Sequence, residues 1–254
     1  MTEIGEDDRP KLGEIIVPMG VCAALIALLL LIVAGPGYRL GFWSFMSGFT
    51  VLGWSAWLGL GAAGVSLWGA YTVRATPPRS RLGMALGGAV LGIAVAAVPW
   101  NWDRTVASLP YIHDISTDTV DPPLFVSLLA ARAEAPNTSD YGGAEVAALQ
   151  KRAYPDIAPV VLEVTADEAF RRAEAAVRGL GWEVAALIAA EGRIEATDTT
   201  TWFGFKDDIV VRVRPLEDAP GRSRVDARSV SRIGRSDVGA NANRLRAFTA
   251  LLTN

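Results

Sequence analysis

The sequence predicts an α+β domain, an antiparallel sheet with two helices on one face, preceded by three transmembrane helices. Three observations predict it. Between residues 15 and 100 the only charged side chains are Arg39, Arg74, Arg79 and Arg81. Residues 101–254 hold 18 Lys plus Arg and 22 Asp plus Glu, the balance of a water-exposed domain. After residue 159, four short runs with strand-like periodicity are bracketed by two stretches of helical period. The expected organisation is a cytoplasmic N-terminal arm (residues 1–14), a three-span region (15–100) and an exported, periplasmic α+β domain (101–254).

Composition sets the outer bounds. Hydrophobic residues make up 51% and charged residues 20%, with a mean hydropathy of +0.28, which excludes a single water-soluble domain and a disordered chain. Cys22 is the sole cysteine, so an intrachain disulfide or a Cys-based zinc site is excluded. A net charge of −3 gives no basis for a nucleic-acid partner.

The first apolar run, residues 15–35, is long enough to cross the hydrocarbon core, which takes about 20 residues. A cleaved signal peptide would start with basic residues. This chain starts with Glu3, Glu6, Asp7, Asp8 and Glu14, so the helix is expected to be retained. The second run, residues 41–73, exceeds one straight span and calls for a turn, or for a tilted helix near residues 47–71. The third covers residues 82–100. Trp43, Trp68, Trp100 and Trp102 fall near run ends, as an interfacial belt requires. Arg9, Lys11, Arg74, Arg79 and Arg81 lie on one side of a three-span arrangement and Arg39 on the other. The excess of basic residues marks the cytoplasmic side, which puts residues 101–254 outside the inner membrane. Gly83 with Gly87 and Gly88 with Gly92 form two small-residue ladders, suited to packing within the chain or to a homo-oligomer. No Asp, Glu, Lys or His lies within a span, which argues against an ion pathway.

Residues 101–154 are weakly periodic and contain Pro110, Pro122, Pro123 and Pro136. They read as an extended arm laid over the domain, with one short helix near residues 124–131. Residues 160–164 form a strand. Thr165 and Glu168 then make a capping box, which opens a helix with Phe170, Ala173, Val177 and Leu180 on one face. Strands are expected at residues 182–189, 193–202, 209–214 and 224–233, with Pro220-Gly221 in the last hairpin. A final helix over residues 238–252 buries Leu245, Phe248 and Leu252.

The sheet face away from the helices carries Arg193 and Glu195 on one strand and Arg224, Asp226, Arg228 and Arg232 on another. Such a face is either solvated and laced by cross-strand ion pairs or an arginine-lined surface for an anion such as a lipid headgroup. Arg228 and Arg232 are expected to pair internally with Asp207, Asp208 or Asp237. Ser229, Ser231, Ser236 and Asp237 complete a candidate binding cluster, with Ser236 as the N-cap of the last helix. His113, Asp114 and Asp118 are the candidate acid–base set, with bonding to the loop backbone as the alternative. Trp202 and Phe203, beside Asp207 and Asp208, form a hydrophobic corner or a cleft that stacks a ligand. No P-loop, dinucleotide fingerprint or metal-spaced histidine pair is present, so no cofactor or metal is expected.

Four stretches resemble, in order, the bacterial family called domain of unknown function 1499. They are His113-Asp-Ile-Ser-Thr-Asp, Tyr154-Pro-Asp-Ile, Trp202-Phe-Gly-Phe-Lys-Asp-Asp and Arg228-Ser-Val-Ser-Arg-Ile-Gly-Arg-Ser-Asp-Val-Gly. The resemblance spans residues 108–252. It implies an envelope-associated domain and transfers no catalytic residue. The expected protein is an integral inner-membrane protein whose exported domain binds an envelope protein or an amphiphilic ligand. The alternative is an envelope hydrolase using His113 and Asp114 with residues 231–236. The topology is open to a direct test. A reporter active only outside the cytoplasm, fused after Asn254, should be active, and activity from a cytoplasm-only reporter there would refute the orientation.

Overall fold

The computed structural model describes residues 12–75 and 77–253, so Arg9, Lys11 and most of the expected N-terminal arm lie outside the described residues. The chain divides into two compact units, Met1–Arg104 and Thr105–Asn254.

The first unit is built of helices α1 (Leu12–Arg39), α2 (Phe45–Val73) and α3 (Ser80–Ser108), each long and apolar enough to cross a membrane. Helices suit such sequences because all their backbone hydrogen bonds close within the segment. The surplus length of the second run goes into a turn before Ser44. The Ser44 side chain caps α2 by accepting from the Ser47 N–H. Trp43 folds back on α1, its Nε1 donating to the Ala34 carbonyl at 3.1 Å. At the other end Arg81 pairs with Glu14 at 2.8 Å, so α1 and α3 start on the same side.

Glycine sets the distances between these helices. A Cβ on Gly92 would lie 2.4 Å from the Gly59 carbonyl oxygen and 2.9 Å from the Ala63 nitrogen, so the main chains of α2 and α3 touch there. Gly20 and Gly88 flank Ser66 from α1 and α3; a Cβ on either would come within 2.4 or 2.7 Å of its Oγ. The two ladders of α3 therefore part company. Gly88 and Gly92 spend their bare surface inside the unit, whereas Gly83 and Gly87 have nothing within 4 Å. The four do not form one exposed face.

The second unit is the α+β domain. Its strands are β1 (Asp114–Ser116), β2 (Val160–Leu162), β3 (Glu183–Ile188), β4 (Arg193–Thr199), β5 (Lys206–Pro215) and β6 (Ser223–Ser231). All pair antiparallel in the order β1-β6-β5-β4-β3, and β2 takes the stretch of β6 that β1 leaves open. Helices α6 (Ala166–Gly179) and α7 (Ala240–Thr253) cover one face. Alternation puts Ile194 and Ala196, Ile209, Val211 and Val213, and Val225 and Ala227 on that face. Phe170 and Val177 of α6 and Leu245, Phe248 and Leu252 of α7 close the core, with Trp182 stacked on Phe248 at 5.8 Å. Thr165 caps α6 as its spacing predicts, accepting from the Glu168 N–H.

Two regions differ from the sequence reading. The segment before Tyr154 holds more structure than its weak periodicity predicts: β1, a single turn α4 (Leu129–Arg132) and α5 (Gly143–Ala153). Buried Gln150 of α5 stands in for a neighbouring strand. Its side-chain amide accepts from the Ser116 N–H at 3.0 Å and donates to the Ser116 carbonyl at 2.6 Å. Helix α7 starts at Ala240 rather than near residue 238, because Val238 at φ 52° and Gly239 at φ 80° are left-handed and cannot belong to it.

The glycine contacts separate two substitutions on one helix. Gly92→Leu should lower the midpoint of helix loss on heating in detergent micelles, and Gly87→Leu should leave it within error. Equal midpoints would refute the α2–α3 crossing.

Candidate functional site

The centre of the charged sheet face is neither solvated nor open. Residues 117–141 run across it, and Glu195, Asp208, Asp226 and Arg228 are 0% exposed beneath them. Burying a charge is tolerated only where every lone pair and N–H finds a partner. Each of these four residues is held by at least three hydrogen bonds or ion pairs.

Arg228 holds the centre. Its Nε and Nη2 donate to the two carboxylate oxygens of Asp114 at 2.9 and 2.8 Å. Its remaining reach goes to the carbonyls of Pro123 at 3.2 Å and Ser139 at 2.8 Å. The guanidinium lies over the rings of Phe125 and Tyr141, at 5.5 and 5.4 Å. A second arginine, Arg132 of α4, covers Phe125 at 5.4 Å. Phe125 thus faces two guanidinium groups. The Tyr141 hydroxyl beside this stack is buried with no hydrogen-bond partner among the described residues. Burial and then the nearby Asp114 carboxylate push its pKa up to about 12.

Asp208 joins two strands to the covering segment. It accepts from Arg132 Nη1 at 2.7 Å, from Arg232 Nε and Nη2 at 2.8 and 2.9 Å, and from the Thr197 hydroxyl at 2.7 Å. Burial alone would raise its pKa; the bonds from Arg232, Thr197 and Arg132 outweigh it and hold the carboxyl below its ordinary value. Glu195 accepts from the backbone N–H groups of Val126, Ser127 and Leu128 at 2.8–3.0 Å and pairs with Arg193. Asp226 receives Arg212, Arg214 and Arg224 at 3.1, 3.2 and 2.9 Å. Asp118 accepts from the Val120 and Asp121 N–H groups and from Arg224 at 2.6 Å.

On the helix side a second polar cluster fixes the start of α7. Arg244 reaches Asp207 at 2.7 Å, Asp198 at 2.8 Å and the Ser229 hydroxyl at 3.1 Å. Asn241 accepts from the Ser229 hydroxyl and donates to Ser231 Oγ and to the His113 carbonyl. The cap of α7 is Asp237, not Ser236: its carboxylate accepts from the Gly239 and Asn241 N–H groups at 3.0 and 2.7 Å. Burial raises the Asp237 pKa. Ser236 Oγ instead accepts from Val238 N and donates to the Pro110 carbonyl.

The candidate residues therefore separate. Asp114 belongs to Arg228, which pairs with neither Asp207, Asp208 nor Asp237. Arg232 pairs with Asp208, and Asp118 with Arg224. His113 meets Ser231 and Asn241 through its main-chain carbonyl, and among the described residues no hydrogen bond joins its imidazole to Ser231 or Ser236. Phe203 is buried and stacked on Phe205 at 5.3 Å, with Trp202 edge-on at 5.4 Å, which makes the aromatic turn a packed corner. Sequence reasoning missed Arg132, Phe125, Tyr141, Asn241 and Arg244. Arg132 directly follows the short apolar piece at residues 124–131, and that adjacency was the signal available for it. A pocket of about 360 Å³ lies elsewhere, between residues 156–160 and α7, with Ile157, Pro159, Val160, Leu245 and Thr249 in its lining. Arg246 and Asp156 meet in the same lining at 2.6 and 2.8 Å. Among the described residues no group of three His, Cys, Asp or Glu gathers as metal ligands would.

Fold and site define an α+β domain whose conspicuous ionic groups hold its own covering segment in place. Residues 114–252, more than half of the chain, match the family model described as protein of unknown function (DUF1499), and the chain belongs to that family. No curated protein and no solved structure matches the chain.

Removing one member of a buried pair costs about 3–5 kcal/mol, because the other charge stays buried and unpaired. Arg228→Ala should therefore lower the unfolding temperature of the full chain in micelles by roughly 10 °C, read from strand circular dichroism. Arg235→Ala, at an exposed site, should leave it within about 2 °C. Unchanged melting of Arg228→Ala would refute the role given to this pair.

Proposed function

We propose that this is an integral inner-membrane protein whose periplasmic DUF1499 domain is a binding module for an envelope protein. One observation carries the reading. Among residues 120–129 the side chains of Val120, Leu124, Val126 and Leu129 are 88, 69, 54 and 46% exposed. The same segment turns Phe125 and Leu128 inward against Val210 and Val230. It is apolar on both sides, and among the described residues nothing covers its outer side. Exposed apolar surface gathered in one place, on a support already rigid, is what a protein partner buries at least entropic cost.

Three further points support the proposal. The three apolar helices suit an integral protein, and Arg74, Arg79 and Arg81 favour a cytoplasmic side at the α2–α3 turn. The domain follows α3 and falls on the opposite side. His113 bonds Ser231 and Asn241 through its main-chain carbonyl, which favours a binding module over a hydrolase. An amphiphilic ligand is the second reading, and the pocket beside α7 supports it: its size falls in the small-molecule range and its lining mixes apolar residues such as Ile157 and Leu245 with Asp156, Arg246 and Thr249.

A photo-crosslinking amino acid placed at Leu124 or Val126 in the full chain, in native membranes, should give a discrete protein adduct. The same group at exposed Glu217 should not. Leu124→Glu should abolish the Val126 adduct while leaving the unfolding temperature within about 2 °C. A folded protein that gives no adduct from either position would overturn the reading.

A further inference from the structure

Three arginines lie between residues 228 and 235, and the domain uses two of them. Arg228 belongs to Asp114 and Arg232 to Asp208. Arg235 is exposed and has no carboxylate partner among the described residues. The nearest carboxylate in sequence, Asp237, is turned into the start of α7. The Arg235 guanidinium lies over the ring of Tyr111, at 5.8 Å, and Tyr111 is itself 63% exposed.

The loop that carries Arg235 is fastened to the chain leaving α3. Ser236 Oγ donates to the Pro110 carbonyl at 3.3 Å, and the Asp237 N–H donates to the Ile112 carbonyl at 3.1 Å. Gly234 at φ 99° makes the bend, and Val238 at φ 52° is held in a conformation a β-branched residue rarely adopts. Tyr111 comes three residues after Ser108, the last residue of α3. Three extended residues span at most about 11 Å. The apolar run itself ends near Trp102, and the six helical residues after it add about 9 Å, so covalent continuity keeps Tyr111, and Arg235 over it, within about 20 Å of that end.

We propose that Tyr111 and Arg235 form a headgroup contact for an anionic phospholipid of the leaflet from which α3 emerges. The proposal rests on the membrane-spanning reading of α3 and is independent of the apolar segment at residues 120–129. The chemistry of both side chains fits. A tyrosine ring with a polar tip is favoured at the level of the headgroups. A guanidinium free of carboxylates offers paired N–H donors to a phosphate. The arginines on the covered sheet face are engaged by carboxylates, whereas the Arg235 guanidinium is left beside an exposed aromatic ring.

The full chain in nanodiscs of phosphatidylcholine, with or without phosphatidylglycerol, tests it, with retained phosphatidylglycerol read by native mass spectrometry. Arg235→Gln should reduce retained lipid roughly fivefold, the effect of one basic residue near an anionic surface. Tyr111→Ala should reduce it less. Arg152→Gln, which removes an exposed arginine that also lacks a carboxylate partner, should change nothing. Equal retention by Arg235→Gln and the parent chain, or an equal loss with Arg152→Gln, would overturn the proposal. So would displacement of the lipid by inorganic phosphate, which would make the corner a site for free anions. A chain that fails to enter nanodiscs at all would instead defeat the spanning reading.

Discussion

The buried double hydrogen bond between Arg228 and Asp114 is the constraint on which the architecture of the α+β domain depends. It joins the first strand to the last, and it obliges the chain to supply further acceptors around a guanidinium that no water reaches. Pro123 and Ser139 supply them, from two ends of the segment that crosses the sheet. The cover is therefore required by the charge as much as by the inward side chains of Phe125 and Leu128. A hydrophobic pair in the same place would ask nothing of the backbone at residues 123 and 139.

The two faces of the sheet are held by different physics. On the helix side, apolar packing tolerates modest changes of shape and its strength follows area. On the other side, carboxylates at 195, 208 and 226 are each met by fixed donors, and Glu195 alone takes three consecutive backbone N–H groups. Such groups tolerate little displacement, because bonding weakens steeply with distance and angle. The covering segment is consequently positioned closely enough to hold an apolar outer side steady, although its own secondary structure is one helical turn.

Much of this was legible in the sequence. The capping pair at Thr165 and Glu168, the alternation of Ile209, Val211 and Val213, and the Pro-Gly hairpin each encode local structure through neighbouring residues, and they read directly. Uncharged runs marked the three long helices for the same reason. What escaped was non-local. Strand β1 is three residues long and owes its existence to β6 and to the side chain of Gln150, neither of which periodicity can report. Helix α5 begins at a glycine pair without a side-chain cap, so no start signal announced it. Arg224, Asp226 and Arg228, at alternate positions on β6, announced a charged face, but not that residues 117–141 would close over it. Ser236 looked like a cap because two left-handed residues after it were not visible in composition.

Pairing the first strand with the last has a temporal consequence. Asp114 and Arg228 are 114 residues apart, and the chain is made from the N-terminus. At ordinary elongation rates the first strand and the segment after it wait roughly 6–20 s for the strand that completes them. During that interval Phe125, Leu128 and their outward neighbours are exposed together, without the sheet beneath them. Closing so long a loop is also intrinsically slow, since its entropy is lost before any contact is gained. The nascent domain thus passes through a vulnerable period set by its topology, during which residues 114–141 lack the strand that completes them.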